Sequence, residues 1–119
     1  MRQLLSVVSR LSGLEQQRGM IVSNFHLSVK RWRDKVNGNS YFAARVYRDG
    51  ELIAVCPFQY GYGLAPDAEA LLAVHLQTGI MRGRNCYLTA WCEDNGHTIT
   101  VDDYTAKQRE VKQHGSKDK

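Results

Sequence analysis

The chain is short of the residues that define several protein classes. It has 2 prolines among 119 residues, too few for a polyproline or low-complexity linker, and its 43% hydrophobic and 24% charged residues are those of an ordinary folded domain. No apolar run approaches the roughly 18 residues of a membrane-spanning helix, so no membrane partner is expected. Cysteine is scarce and odd in number. Cys56, Cys86 and Cys92 form no CxxC pair, which argues against a zinc site and predicts reduced thiols in a cytoplasm. The four histidines lack metal-ligand spacing. A nucleophile elbow, an HExxH helix, a phosphate loop and a dinucleotide fingerprint are all missing. The expectation is a protein without metal or cofactor, not an enzyme, and with no catalytic residue; Asp94 and His97, flanking a turn, are turn residues by type.

A chain of this length supports one hydrophobic core. Its charge is uneven: nine bases face three acids through Gly50, and seven face nine beyond it. A basic N-terminal part suits an anionic partner. Residues 1–19 carry Leu4, Leu5, Val7, Val8, Leu11 and Leu14 at helical spacing, predicting an amphipathic helix ahead of a single α+β domain over 20–114 and a flexible polar tail over 115–119. Met20 is an alternative start.

Three turn signals, Asn37-Gly38, Asp49-Gly50 and Asn95-Gly96, organise the rest. The first two predict a three-stranded antiparallel meander. Two-residue loops would pair Trp32 with Ala43, Lys30 with Arg45, and Val46 with Ile53. Alternation then places Leu27, Val29, Phe42, Ala44, Val46, Ile53 and Val55 on a core face. Ser28, Lys30, Trp32, Tyr41, Arg45, Tyr47, Leu52, Cys56 and Phe58 share a second face, both aromatic and basic. Lys30 directly opposite Arg45 calls for an anion between them or for a bulge that moves the register. Pro66-Asp67 opens a helix with Ala68, Leu71, Leu72, His75 and Leu76 as its apolar stripe, and Gly79 ends it. Residues 84–92 and 97–101 predict a second hairpin about Asn95-Gly96, its cysteines packing inward. Asp102 or Asp103 then caps a final helix reaching His114. The fold class is α+β: an antiparallel sheet, meander plus second hairpin, packed with two or three helices.

The stretch Lys30-Arg31-Trp32, Asn37-Gly38-Asn39-Ser40-Tyr41, Asp49-Gly50 and Pro57-Phe58-Gln59-Tyr60-Gly61-Tyr62-Gly63 resembles small accessory proteins of tailed phages and prophages, which share an N-G-N-[ST]-Y turn followed by P-F-x-Y-G-Y-G. The likeness covers residues 24–63. Such proteins often carry His at the position of Phe42 and a polar or acidic residue followed by aromatics at Leu64-Ala65-Pro66. Size and layout are more loosely similar to the Thoeris anti-defence sponge proteins. The resemblance implies a phage anti-defence protein, working in the host cell cytoplasm by sequestering a small anionic nucleotide. The alternatives are a direct inhibitor of a host defence protein, as anti-CRISPR proteins are, or a nucleic-acid-binding accessory protein.

The residues expected to hold such a nucleotide are Trp32, Tyr41 and Tyr47 for stacking and Lys30, Arg45 and Arg109 for phosphates, with Tyr60 and Tyr62 in the glycine-tyrosine turn. An aromatic second sheet face and an apolar N-terminal helix also predict a homo-oligomer.

Overall fold

The computed structural model describes residues 22–116. The N-terminal helix expected over 1–19 and residues 117–119 of the tail lie outside the described residues. Strands β1 (Asn24–Arg33), β2 (Ser40–Arg48) and β3 (Glu51–Tyr60) are followed by helices α1 (Ala65–Thr78) and α2 (Leu88–Asp94), strand β4 (Thr98–Thr105) and helix α3 (Gln108–His114). One mixed sheet has the order β3-β2-β1-β4: the meander is antiparallel as expected, and β4 lies parallel to β1.

The Asp49-Gly50 turn behaves as its sequence demands. Both residues take left-handed φ, 51° and 84°, the requirement of a type I′ turn. Asn37-Gly38 does not close a two-residue loop. Only Gly38 has positive φ, and a wider loop forms in which Asp34 bonds both Gly38 and Asn39 through its backbone. The register therefore moves by two residues, giving Trp32 opposite Tyr41, Lys30 opposite Ala43 and Ser28 opposite Arg45. A two-residue shift keeps every side chain on its face, so Leu27, Val29, Phe42, Ala44 and Val46 are buried together as expected. It also removes the Lys30–Arg45 clash that an anion would have had to relieve.

On β3 the sorting changes. Irregularities between Phe42 and Ala44 and between Val46 and Tyr47 move the register by one residue each. Ala54 and Cys56 enter the core in place of Ile53 and Val55; Ile53 packs at its margin. Val55 faces the other side, opposite Arg45. Its backbone N–H and C=O on the outer edge of β3 are both taken by the Gln77 side-chain amide of α1, at 3.0 and 2.9 Å.

Helix α1 packs on β3 and β2 and ends as expected at Gly79, in the left-handed conformation. Its buried face is Pro66, Ala70, Leu71, Ala73 and Val74, while Leu76, expected on the stripe, is 72% exposed. The helix is apolar on more than one side, so periodicity alone does not choose the facing; the small alanines do, by allowing close approach to the sheet. His75 is hydrogen-bonded as anticipated, its Nδ1–H donating to the Ile80 carbonyl at 2.8 Å.

The second hairpin is absent from the described residues. Leu88–Asp94 is helical and Asn95-Gly96 is the exit from that helix, with Gly96 at φ 74° and the His97 N–H returning to the Cys92 carbonyl. Left-handed glycine serves hairpin turns and helix ends alike. Leu88, Trp91 and Cys92, the buried residues of α2, show the i, i+3, i+4 spacing that an alternating reading of Leu88, Ala90 and Cys92 conceals. Asp102 and Asp103 likewise do not cap a helix but lie inside β4. An edge strand tolerates them, and each has a cationic or imidazole partner on β1. Arg31 donates to Asp103 at 2.7 Å, a bond that holds the guanidinium firmly protonated. His26 sits 3.5 Å from Asp102 and 2.7 Å from the Thr100 hydroxyl, tying the two parallel strands together.

Helices α1 and α2 cover one face of the sheet and the seven-residue α3 lies on the other.

Candidate ligand groove

Helix α3 is fixed to its face by two side chains and a glycine. The Arg45 Nε–H donates to the His114 carbonyl at 2.9 Å and its Nη2 to the Gln113 and Ser116 carbonyls at 3.3 and 3.2 Å. A guanidinium thus satisfies the orphan carbonyls at the helix C-terminus and opposes the negative end of its dipole. His114 is buried and its Nε2–H donates to the Ser28 carbonyl at 2.9 Å. Burial depresses its pKa; the Ser28 bond opposes this, Arg45 and Lys30 add to the depression, and Asp102 works against it. Gly115 then crosses so close to the sheet that a Cβ there would stand 2.6 Å from the Phe58 nitrogen.

The same face carries a cluster of rings. Trp32, Tyr41 and Phe58 come from three adjacent strands and each touches the other two, with Trp32 and Tyr41 centroids 5.6 Å apart, Trp32 and Phe58 6.4 Å apart, and Tyr41 and Phe58 5.3 Å apart with their planes at 6°. The Phe58 ring is covered by Lys112, whose ammonium is 5.4 Å from the ring centroid. Trp32 also borders a groove of about 560 Å³ between β1 and the β4–α3 connection. That volume lies within the range of small-molecule sites. Trp32, Arg33, Lys35, Thr105, Lys107 and Glu110 are among its walls. Its floor is pinned where the Ala106 N–H donates to the Arg31 carbonyl at 2.7 Å. Arg33, Lys35 and Lys107 make no ion pair with another described residue. The groove therefore combines an aromatic wall with three uncommitted cations, the combination that stacks a planar ring while neutralising attached phosphates.

The residues expected from the sequence to bind a ligand are divided by the fold. Trp32 lines the groove and Tyr41 backs it. Lys30 and Arg45 do meet, in a neighbouring cavity of about 310 Å³ with Glu110, Gln113 and His114, but Arg45 is spent on the α3 carbonyls and the Lys30 ammonium rests 5.7 Å from the Tyr104 ring. Tyr47 is at the far end of β2, beside His26. Arg109 is exposed on α3 and does not line the groove. Tyr60 and Tyr62 follow from Tyr41, at 5.9 and 6.2 Å between successive rings, and do not line the groove. Arg33 and Lys35 are expected from the sequence only as bases of the first hairpin that suit a nucleic acid, and Lys107 and Glu110 are not expected as ligand residues at all. Their signal is visible only in hindsight of topology: Thr105 had to end a strand before Lys107 could be placed beside Trp32.

Other chemistry is thinly represented. Among the described residues no cluster of His, Cys, Asp or Glu is placed to hold a metal, and no helix is long and apolar enough to cross a membrane. The cysteines are free thiols. Burial pushes Cys56 and Cys92 up to about 12, helped by Glu69 and Asp67 respectively, and leaves both unreactive. Cys86 is exposed rather than packed. His97 is a packing residue stacked on Trp91, its Nδ1 accepting the Ser23 N–H at 3.0 Å.

Fold and groove together define, among the described residues, a small α+β domain with an aromatic, cation-rimmed recess. Comparison with protein-family models, curated proteins and solved structures yields no match for the chain.

Proposed function

We propose that this protein is a non-enzymatic binder of a small anionic nucleotide, held with its base against Trp32 and its phosphates among Arg33, Lys35 and Lys107. The observation that carries the reading is Trp32, which packs with Tyr41 and Phe58 and lines the groove beside three cations that make no ion pair with another described residue. The resemblance of its turn motifs to those of phage accessory proteins supports reading the activity as anti-defence, by sequestration of a host immune nucleotide in the host cytoplasm. Calorimetry on the full chain with cyclic, linear and ADP-ribose-derived nucleotides tests it. Saturable binding to at least one, lost on Trp32→Ala, is expected; silent titrations across the panel overturn it.

A second reading is favoured by a different surface. Tyr60, Tyr62 and Leu64 are exposed by 57, 67 and 63% at the end of β3 and on the loop after it, which is held in place by Arg31 donating to the Gly63 carbonyl at 2.9 Å. Rigid exposed aromatics are the anchors of protein interfaces. Under this reading the partner is a host defence protein or a second copy of the chain. A partner captured by the wild type and lost on Tyr62→Ala, with no nucleotide bound, would replace the first reading.

A further inference from the structure

Resting on the nucleotide reading, we infer that Glu110 selects a ligand with a free ribose 2′,3′-diol. Glu110 is the one acid among the groove's walls and also borders the Lys30 cavity, so it stands at the junction of the two recesses. Its carboxylate makes no hydrogen bond or ion pair with another described residue. A carboxylate in that position repels a phosphate and is unfavourable to an anionic ligand unless it accepts hydrogen bonds from that ligand.

Spacing decides which donors it meets. Glu110 follows Lys107 by three residues, and its N–H bonds the Lys107 carbonyl at 3.0 Å, so the two side chains are about one helical turn apart, roughly 5–6 Å at their Cβ atoms. That is the reach of a single ribose 5-phosphate: phosphate on Lys107, both hydroxyls on the two carboxylate oxygens, and the base turned onto Trp32. An acid accepting a ribose hydroxyl is the same solution that dinucleotide-binding folds use, reached here on an unrelated element. The carboxylate also bars the phosphate from sliding to Lys30, which confines it to the Arg33–Lys35–Lys107 end.

The test is calorimetry of the full chain with the four ribonucleoside 5′-triphosphates and their 2′,3′-dideoxy forms, on wild type and on Glu110→Gln. The wild type is expected to hold the ribo form roughly tenfold more tightly, the size of a hydrogen bond to a charged group. In Glu110→Gln the preference disappears, and the dideoxy form gains affinity as the repulsion is relieved. Equal binding of both forms by the wild type, binding confined to nucleotides whose 2′,3′-hydroxyls are blocked, or a preference that survives Glu110→Gln overturns the inference while leaving the groove reading intact. No binding of any nucleotide, including those of the wider panel, overturns both.

Discussion

The two faces of the sheet solve different problems. On the α1/α2 side, Phe25, Leu27, Val29, Phe42, Ala44 and Val46 meet Leu71, Val74, Leu88 and Trp91 with almost no exposed surface, and the only demand is volume. On the α3 side a helix of seven residues covers the strands incompletely. It is held by directional contacts, Arg45 on its carbonyls and His114 on Ser28, and it leaves rings and cations uncovered beside it. The first face supplies stability and the second spends part of it on an open groove.

The largest expected effect breaks the first face. Phe42→Ala removes a fully buried ring that also backs Gly61, and is expected to destabilise the fold by about 3–5 kcal/mol in urea unfolding. Arg45→Ala should cost less, about 1.5–3 kcal/mol, and act differently. Hydrogen exchange would show Val111 and its neighbours in α3 losing protection while α1 keeps its own. If both helices lose protection together, the two faces form one cooperative unit and the contrast fails.

The contrast also explains what could be read from the sequence. The dry face was legible because alternation reports burial directly: Leu27, Val29, Phe42, Ala44 and Val46 were placed together, and even a two-residue error in register left them there. Single-residue shifts on β3 were not legible, and they exchanged Ile53 and Val55 for Ala54 and Cys56. The groove was half legible. Trp32 and Tyr41 were recognised because strand residues near each other in sequence share a face. Lys107 and Glu110 were not, because their place depends on β4 running parallel to β1, and the Asn95-Gly96 pair gives the same local signal for a hairpin as for a helix end. Arg45 was read as a phosphate ligand when it caps a helix; both roles ask for a guanidinium, and only the partner distinguishes them.

A smaller effect sharpens the account through pH. Burial depresses both imidazoles from the usual 6.5; Arg48 adds to this for His97 and Asp49 opposes it, while His114 sits near Arg45 and Lys30. The unfolded chain then binds more protons than the folded one below about pH 6.5. Stability is full above that value and falls as the pH drops toward the depressed folded values. Thermal melting between pH 7.5 and 5 should show the decline, and His114→Gln should lessen it; a stability that rises on acidification contradicts the assignment. The smallest effect on stability, within about 0.5 kcal/mol, is expected of Lys107→Ala. Exposed and without an ion pair among the described residues, Lys107 should matter to ligand affinity and hardly at all to urea unfolding.

The central claim is that a planar anionic ligand stacks on Trp32 in the groove. The chain has 2 tryptophans, and Trp91 is buried against Phe25 on the opposite face, so Trp91→Phe leaves Trp32 as the sole indole reporter. Fluorescence titration of that variant with the nucleotide panel should give saturable quenching by at least one member, reversed by salt as phosphate contacts weaken. Emission that stays unchanged with every nucleotide at millimolar concentration would contradict the claim.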